Sequence, residues 1–136
     1  MKSQIVKRVF VLMFFLFSSI NIFSASNDNN VEWNGLYHDS FNNYYRSPFG
    51  AVPTNTTVNL KFRSYRFDLT SVTLRIYVLD PVTNITTGPT DIPFTWLTNE
   101  GTTYDIWQVN YSTPNLPRLV YYKIKATDGT SNAWYS

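Results

Sequence analysis

His38, Asp39 and Ser40 stand side by side in this chain, and they are the three residue types of a hydrolytic triad. Nucleophilic catalysis needs such side chains to converge from separate elements, with the imidazole set between hydroxyl and carboxylate, and sequence neighbours do not form that arrangement. His38 is the only histidine, which excludes a metal site built on several imidazoles. The absence of cysteine removes thiolate metal sites, thiol nucleophiles and disulfides together. His38 therefore reads as a hydrogen-bonded loop residue that orients the first strand. The acidic residues are scattered singly, and no spacing places two carboxylates about 5–9 Å apart as glycosidic cleavage requires. Gly35, Gly50, Gly88, Gly101 and Gly129 make no phosphate-cradling loop. No catalytic residue, metal ligand or cofactor is expected in this chain.

Aromatic rings are what the composition supplies instead: 4 Trp, 10 Tyr and 10 Phe in 136 residues. An indole or phenol is a rigid apolar plate with a polar edge, ordered at little entropic cost, and such a plate matches the apolar face of a pyranose ring. Phe62, Trp107 and Tyr122 fall on strand faces that read as inward, so they belong to the core. Tyr77 and Tyr121 point away from the core residues of their own strands, and Trp33 and Trp96 lie near strand or loop ends. These four are the candidate carbohydrate-binding residues, and the same positions would equally suit a domain interface. Asn-x-Ser/Thr triplets begin at Asn55, Asn84 and Asn110 and matter only in a host that glycosylates.

The elements that must position these rings are strands. Val58, Leu60 and Phe62 alternate with Asn59, Lys61 and Arg63, and Val72 to Val78 repeats the pattern, so each is a strand with one apolar and one polar face. The short link from Ser64 to Ser71 predicts that the two are antiparallel neighbours. Asp80-Pro81-Val82-Thr83-Asn84 reads as a turn. Beyond a break at Gly88-Pro89, residues 92–97 read as a short strand, with Pro93 suiting an edge. Asn99-Glu100-Gly101 turns into a strand over 102–111, and Pro114 and Pro117 punctuate a loop. Leu119 to Ala126 follows, with Val120, Tyr122, Ile124 and Ala126 inward. Asp128-Gly129-Thr130 is a hairpin turn that opens a returning strand at Ala133-Trp134-Tyr135. No helical periodicity occurs outside the N-terminal segment. Six or seven short strands with turns about every ten residues predict an all-β fold, an immunoglobulin-like antiparallel β-sandwich.

The N-terminus reads differently. Lys2, Lys7 and Arg8 precede the uninterrupted apolar run Val9 to Phe17, and Ser24-Ala25-Ser26 supplies a small-x-small cleavage pattern. Residues 1–26 are therefore expected to be a signal peptide of a secreted, extracellular protein, since the run is well short of the roughly 20 apolar residues of a membrane-spanning anchor. Residues 27–30 read as a disordered leader, and 31–136 as the sandwich, its last strand truncated as in a fragment of a longer protein. Removing three of the 11 Lys and Arg leaves 8 basic against 9 acidic residues, a net charge of −1. Such a surface gives no footing for nucleic acid or anionic lipid, so neither is expected as a partner.

The segment Val31-Glu32-Trp33-Asn34-Gly35-Leu36-Tyr37-His38-Asp39-Ser40, then Tyr45 to Pro53, then Val58 to Arg63, carries a family resemblance. It resembles the N-terminal immunoglobulin-like domain of the alpha-amylase superfamily, glycoside hydrolase family 13, and especially of neopullulanases, cyclomaltodextrinases and amylopullulanases. That module is classed as carbohydrate-binding module family 34. The family pattern has His-Asp near the first strand, a Tyr-x-x-Pro loop, a Val-x-Leu-x-x-Arg strand and a Val-x-Leu-Arg strand. Here these correspond to His38-Asp39, Tyr45 to Pro48, Val58 to Arg63 and Val72 to Arg75. Tyr104-Asp105-Ile106-Trp107, Val120 to Ile124 and Asp128-Gly129 also fit.

The resemblance implies a sandwich that precedes a catalytic barrel in a secreted enzyme cutting α-glucans such as starch, pullulan or maltodextrin. Its partners would then be the glucan and the barrel of the same polypeptide, with the catalytic residues lying in the barrel. Two readings stand beside glucan binding: a structural module whose exposed aromatics pack on the barrel, and an adhesin-type sandwich unrelated to sugars.

Overall fold

The computed structural model describes residues 28–136, and the expected signal peptide lies outside the described residues. A 3-10 turn, Trp33–Gly35, leads into eight strands: β1 (Arg46–Ser47), β2 (Thr57–Tyr65), β3 (Ser71–Asp80), β4 (Ile85–Pro93), β5 (Thr95–Glu100), β6 (Tyr104–Ser112), β7 (Leu119–Asp128) and β8 (Ser131–Tyr135). They form two antiparallel sheets, β1-β2-β6-β5 and β4-β3-β7-β8, here the first and second sheets.

Period-two alternation is what builds the core. Val58, Leu60 and Phe62 from β2 and Val72, Leu74 and Ile76 from β3 are buried, while the residues between them are half-exposed. Val109 from β6, Ile124 and Ala126 from β7, and Phe94 from the β4–β5 crossing complete the same cluster. Full burial of one such large apolar side chain stabilises by roughly 1.5–3 kcal/mol, so removing apolar surface from water carries the fold in place of disulfides.

Three expectations need correction. β2 and β3 are not neighbours, because each lies in a different sheet. β2 pairs over its whole length with β6, from Thr57↔Ser112 to Tyr65↔Tyr104, and β3 pairs with β7 from Ser71↔Thr127 to Leu79↔Leu119. The link between them is an arch that carries the chain across the core, so the two apolar faces meet each other instead of lying side by side. Gly88-Pro89 is not a break either; it sits inside β4. At Gly88 φ is +115°, and an added Cβ would lie 2.7 Å from the Ile76 carbonyl, so only glycine fits where the β3–β4 register shifts. The predicted strand over 92–97 consequently splits: β4 ends at Pro93 and β5 begins at Thr95, in the other sheet. Pro93 does lie on an edge strand, where a missing N–H leaves no ladder bond unmade.

The turns follow the expected chemistry. Asp80 Oδ1 accepts from the Val82 N–H at 2.8 Å, and Asn84 takes a left-handed φ of 56° to close the β3–β4 hairpin. The segment read as a disordered leader makes specific bonds near the β7–β8 turn: Thr130 N–H donates to Asn29 Oδ1 at 2.9 Å, and Asn30 N–H to Asp128 Oδ2 at 3.2 Å.

Candidate functional site

Strand alternation sends every second residue of β3 and β7 to the outer face of the second sheet. There Tyr77 lies directly opposite Tyr121, Arg75 opposite Lys123, and Leu79 opposite Leu119. Trp134 joins them from β8, opposite Lys125. The Arg75 guanidinium grips Asp91 of β4 through two bonds, Nε to Oδ1 at 2.7 Å and Nη2 to Oδ2 at 2.6 Å, and lies 4.9 Å over the Trp134 ring. This pairing holds the Asp91 carboxyl below and the Arg75 guanidinium above its usual range. Tyr121 is 55% exposed. The result is a stripe of apolar plates flanked by fixed charge, with Tyr77 and Tyr121 at its centre.

Of the four sequence-predicted residues the fold brings only Tyr77 and Tyr121 together. Trp33 is exposed on the 3-10 turn. Trp96 lies on β5, opposite Trp107, at the edge of the first sheet. Its indole Nε1–H donates to Asp105 Oδ1 at 3.1 Å, while Asp105 Oδ2 accepts from the Phe67 N–H at 2.8 Å. Phe67 has φ of +64°, a left-handed conformation that costs a bulky residue ~1–3 kcal/mol and persists only where the surroundings impose it. Together with Trp107, Leu69 and Asn99 these residues bound a cleft of about 370 Å³.

The outer face of the first sheet holds rings that sequence reasoning did not single out. Arg63 lies 4.1 Å over Tyr104 and 5.0 Å over Tyr37, with its Nη1 3.8 Å from Glu100, and Lys61 Nζ lies 4.1 Å over Tyr44. Tyr65 stacks on Tyr104 with centroids 5.4 Å apart. Tyr45, packed edge-on against Tyr37 and Tyr44, has its hydroxyl pushed up to about 12, chiefly by burial.

His38 is the hydrogen-bonded loop residue its sequence context predicts. Nδ1 donates to the Lys61 carbonyl at 2.7 Å, and Nε2 accepts from the Tyr122 hydroxyl at 2.8 Å, the pattern of a neutral ring spanning both sheets. The Tyr135 hydroxyl donates to the His38 carbonyl at 3.2 Å. Burial, the largest influence, lowers the imidazole pKa and raises that of the Tyr122 hydroxyl. With both nitrogens occupied by neighbours, the ring has no lone pair for a nucleophile.

Trp134, Phe67 and Asp105 were missed as site residues. Trp134 was recoverable, because it alternates with the inward Ala133. The other two were not, since their roles depend on the arch between β2 and β3. Among the described residues no group of three or more His, Asp or Glu side chains is placed to hold a metal ion, and no helix is long and apolar enough to cross a membrane.

No protein-family model matches the chain. It is similar to the amylopullulanase of Thermoanaerobacterium saccharolyticum, 33% identical over 109 residues that make up 79% of this chain and 8% of that protein. The amylopullulanase of Thermoanaerobacterium thermosulfurigenes is 32% identical over the same share of this chain and 6% of its own length. That of Thermoanaerobacter thermohydrosulfuricus is 31% identical and covered over 7%. Among solved structures a cyclomaltodextrinase superposes with a TM-score of 0.54 at 22% identity, over 76% of this chain and 16% of that one, a likeness of fold. By sequence, then, this β-sandwich is homologous to a segment that makes up less than a tenth of each amylopullulanase.

Proposed function

We propose that this chain is an accessory domain, of the carbohydrate-binding module family 34 type, of a secreted α-glucan-degrading enzyme of glycoside hydrolase family 13. Residues 1–26 are its export signal, 27–30 a leader and 31–136 the domain, with catalysis carried out elsewhere in the parent polypeptide. Its ligand is an α-glucan such as starch, pullulan or maltodextrin. The observation that carries this reading is the cross-strand Tyr77–Tyr121 pair on an outer sheet face in a homologue of amylopullulanases. Two phenol plates side by side on a flat face present their apolar surface to sugar rings and their hydroxyls to ring hydroxyls. Trp33 and Trp96 are the further candidate contacts.

Native electrophoresis in gels cast with amylopectin or pullulan tests it. The purified chain is retarded, and Tyr121→Ala restores the mobility seen without polysaccharide. Unchanged mobility of the wild-type chain in both gels sinks the reading.

A second reading is favoured by the apolar residues at the end of the same stripe, where Leu119 is about half exposed. It has the face pack against the catalytic part of the polypeptide without touching sugar. It predicts no retardation and poor solubility of the isolated chain, because an apolar patch is left uncovered.

A further inference from the structure

β3 lies along β7 from Leu79↔Leu119 to Ser71↔Thr127, but β8 lies along the other side of β7 only from Ile124↔Tyr135 to Asp128↔Ser131. One side of β7 is therefore unpaired over residues 119–123. The hairpin fixes which backbone groups this leaves open. Its two-residue loop, Gly129-Thr130, is closed by Asp128 and Ser131 exchanging both ladder bonds, so the even-numbered residues of β7 aim N–H and C=O toward β8 and the odd-numbered ones toward β3. The Thr127 carbonyl obeys this parity, accepting from the Thr70 N–H at 2.9 Å on the β3 side. Val120 and Tyr122 thus direct their N–H and C=O to a side where no strand pairs with them. The other edges are blunted: β4 carries Pro89 and Pro93, β5 has a register shift between Trp96 and Thr98, and β1 is two residues long.

A trough runs beside this open stretch. Its part nearest β8, about 400 Å³, is lined by His38, Arg46, Tyr122, Tyr135 and Ser136. The next part, about 410 Å³, shares Arg46, Val120 and Tyr122 with it and reaches the core residues Val58 and Leu60. We propose that the polypeptide following Ser136 continues β8 through this trough as an extended strand antiparallel to β7. The inference rests on the reading of this chain as part of a longer polypeptide. Ser136 itself lines the trough, so β8 already points along it, and the five pairs in place set both direction and register. A strand supplied by the same chain also avoids the ~4–15 kcal/mol of lost rotational and translational freedom that a second copy or a free peptide would have to offset. Continuing the register puts Ser136 opposite Lys123 and the next three residues opposite Tyr122, Tyr121 and Val120 in turn. By alternation the first and third of these point into the trough beside Tyr122 and Val120, where apolar side chains are expected. The second stands on the outer face, as a third member of the Tyr77–Tyr121 row. The aromatic platform is then completed from beyond Ser136, and the connection to the rest of the polypeptide is held in a sheet instead of swinging as a free tail.

Amide hydrogen exchange tests this by comparing the purified chain with the same chain lengthened by the next five residues of its own reading frame. The Val120 and Tyr122 amides exchange fast in the first and are slowed by about a hundredfold or more in the second, while the Tyr121 amide, which faces β3, is slow in both. A five-proline extension, which has no N–H to enter a ladder, leaves the Val120 and Tyr122 amides fast. Unchanged exchange in the natural extension, or equal protection by the prolines, overturns the strand and leaves the reading of a longer polypeptide standing. Slow exchange at these two amides in the unextended chain overturns it as well, and its fading on dilution identifies a second copy as the occupant. A stop codon directly after Ser136 overturns both.

Discussion

On the outer face of the first sheet Arg63 covers Tyr104 and Tyr37, Lys61 covers Tyr44, and Tyr65 stacks on Tyr104, so the faces of these rings are already taken by neighbours. On the outer face of the second sheet Tyr77 and Tyr121 stand opposite each other with Tyr121 more than half exposed, while the nearby guanidinium of Arg75 is drawn to Asp91 and Trp134. Both faces come from the same alternating pattern and both are rich in tyrosine. What separates them is where the cations lie. A ring whose face meets a guanidinium contributes to the stability of its own sheet, and a ring left open contributes to an encounter with something else.

That contrast can be broken or sharpened by substitution. The largest effect belongs to the core that supports both faces: Phe62→Ala leaves a cavity between the sheets and lowers stability by about 3–5 kcal/mol in urea denaturation, with ligand binding lost only as the fold is lost. Next comes Arg63→Ala, which strips the cation from Tyr37 and Tyr104 and costs about 2 kcal/mol by the same measurement, without altering migration in pullulan gels. A loss from Arg63→Ala below about 0.5 kcal/mol would erase the distinction between a load-carrying face and an open one.

His38 supplies a smaller effect and a pH dependence, because it joins the two sheets. Tyr122→Phe leaves Nε2 without its donor and costs about 1 kcal/mol. Burial holds the folded imidazole pKa below its unfolded value of 6.5. The neutral ring's contribution is therefore complete above that value and is lost as pH falls below it toward the folded pKa. Asp68 runs the other way. Burial raises its carboxyl to about 6 from 3.8, so its contribution is complete below 3.8 and is lost as pH rises through about 6. The two must be separated by difference: the melting-temperature gap between wild type and His38→Gln narrows as pH is lowered from 7.5 to 5. A constant gap across that range contradicts a neutral, Tyr122-bonded ring.

The smallest change in stability, within about 0.5 kcal/mol, is expected for Tyr121→Ala, which nonetheless abolishes retardation by amylopectin. A large effect on binding with almost none on folding is the converse of Arg63→Ala, and the two variants together define the contrast between the faces.

Much of the fold was legible in the sequence, and the exceptions share a cause. The alternations at Val58 to Phe62 and Val72 to Val78 identify strands and their buried sides, because a side-chain period of two has one structural solution on a half-buried surface. The turns at Asp80 to Asn84 and Asp128 to Thr130 are local, since their side chains bond their own backbone or admit a left-handed φ. Whether two apolar faces lie side by side or across from each other leaves no mark in either strand, and so β2 and β3 were paired wrongly. Gly88-Pro89 looked like an end because its requirement comes from the Ile76 carbonyl of the neighbouring strand.

The candidate site divides in the same way. The sequence by itself determined that the strands would make a β-sandwich, that Tyr77 and Tyr121 would both face outward, and that His38 would serve as a structural hydrogen-bonding residue; each follows from a local period or a single side chain's chemistry. Only the tertiary structure decided that Tyr77 meets Tyr121, that Arg63 covers the tyrosines of the opposite face, and that Asp105 gathers Trp96, Phe67 and Asn99 into one cleft. Those are relations between residues separated by up to 44 positions, as for Tyr77 and Tyr121, and they arise only when sheet pairing and the arch between the sheets have closed. Contact across a sandwich depends on register and on which sheet each strand joins, and neither quantity is written in the strand's own residues.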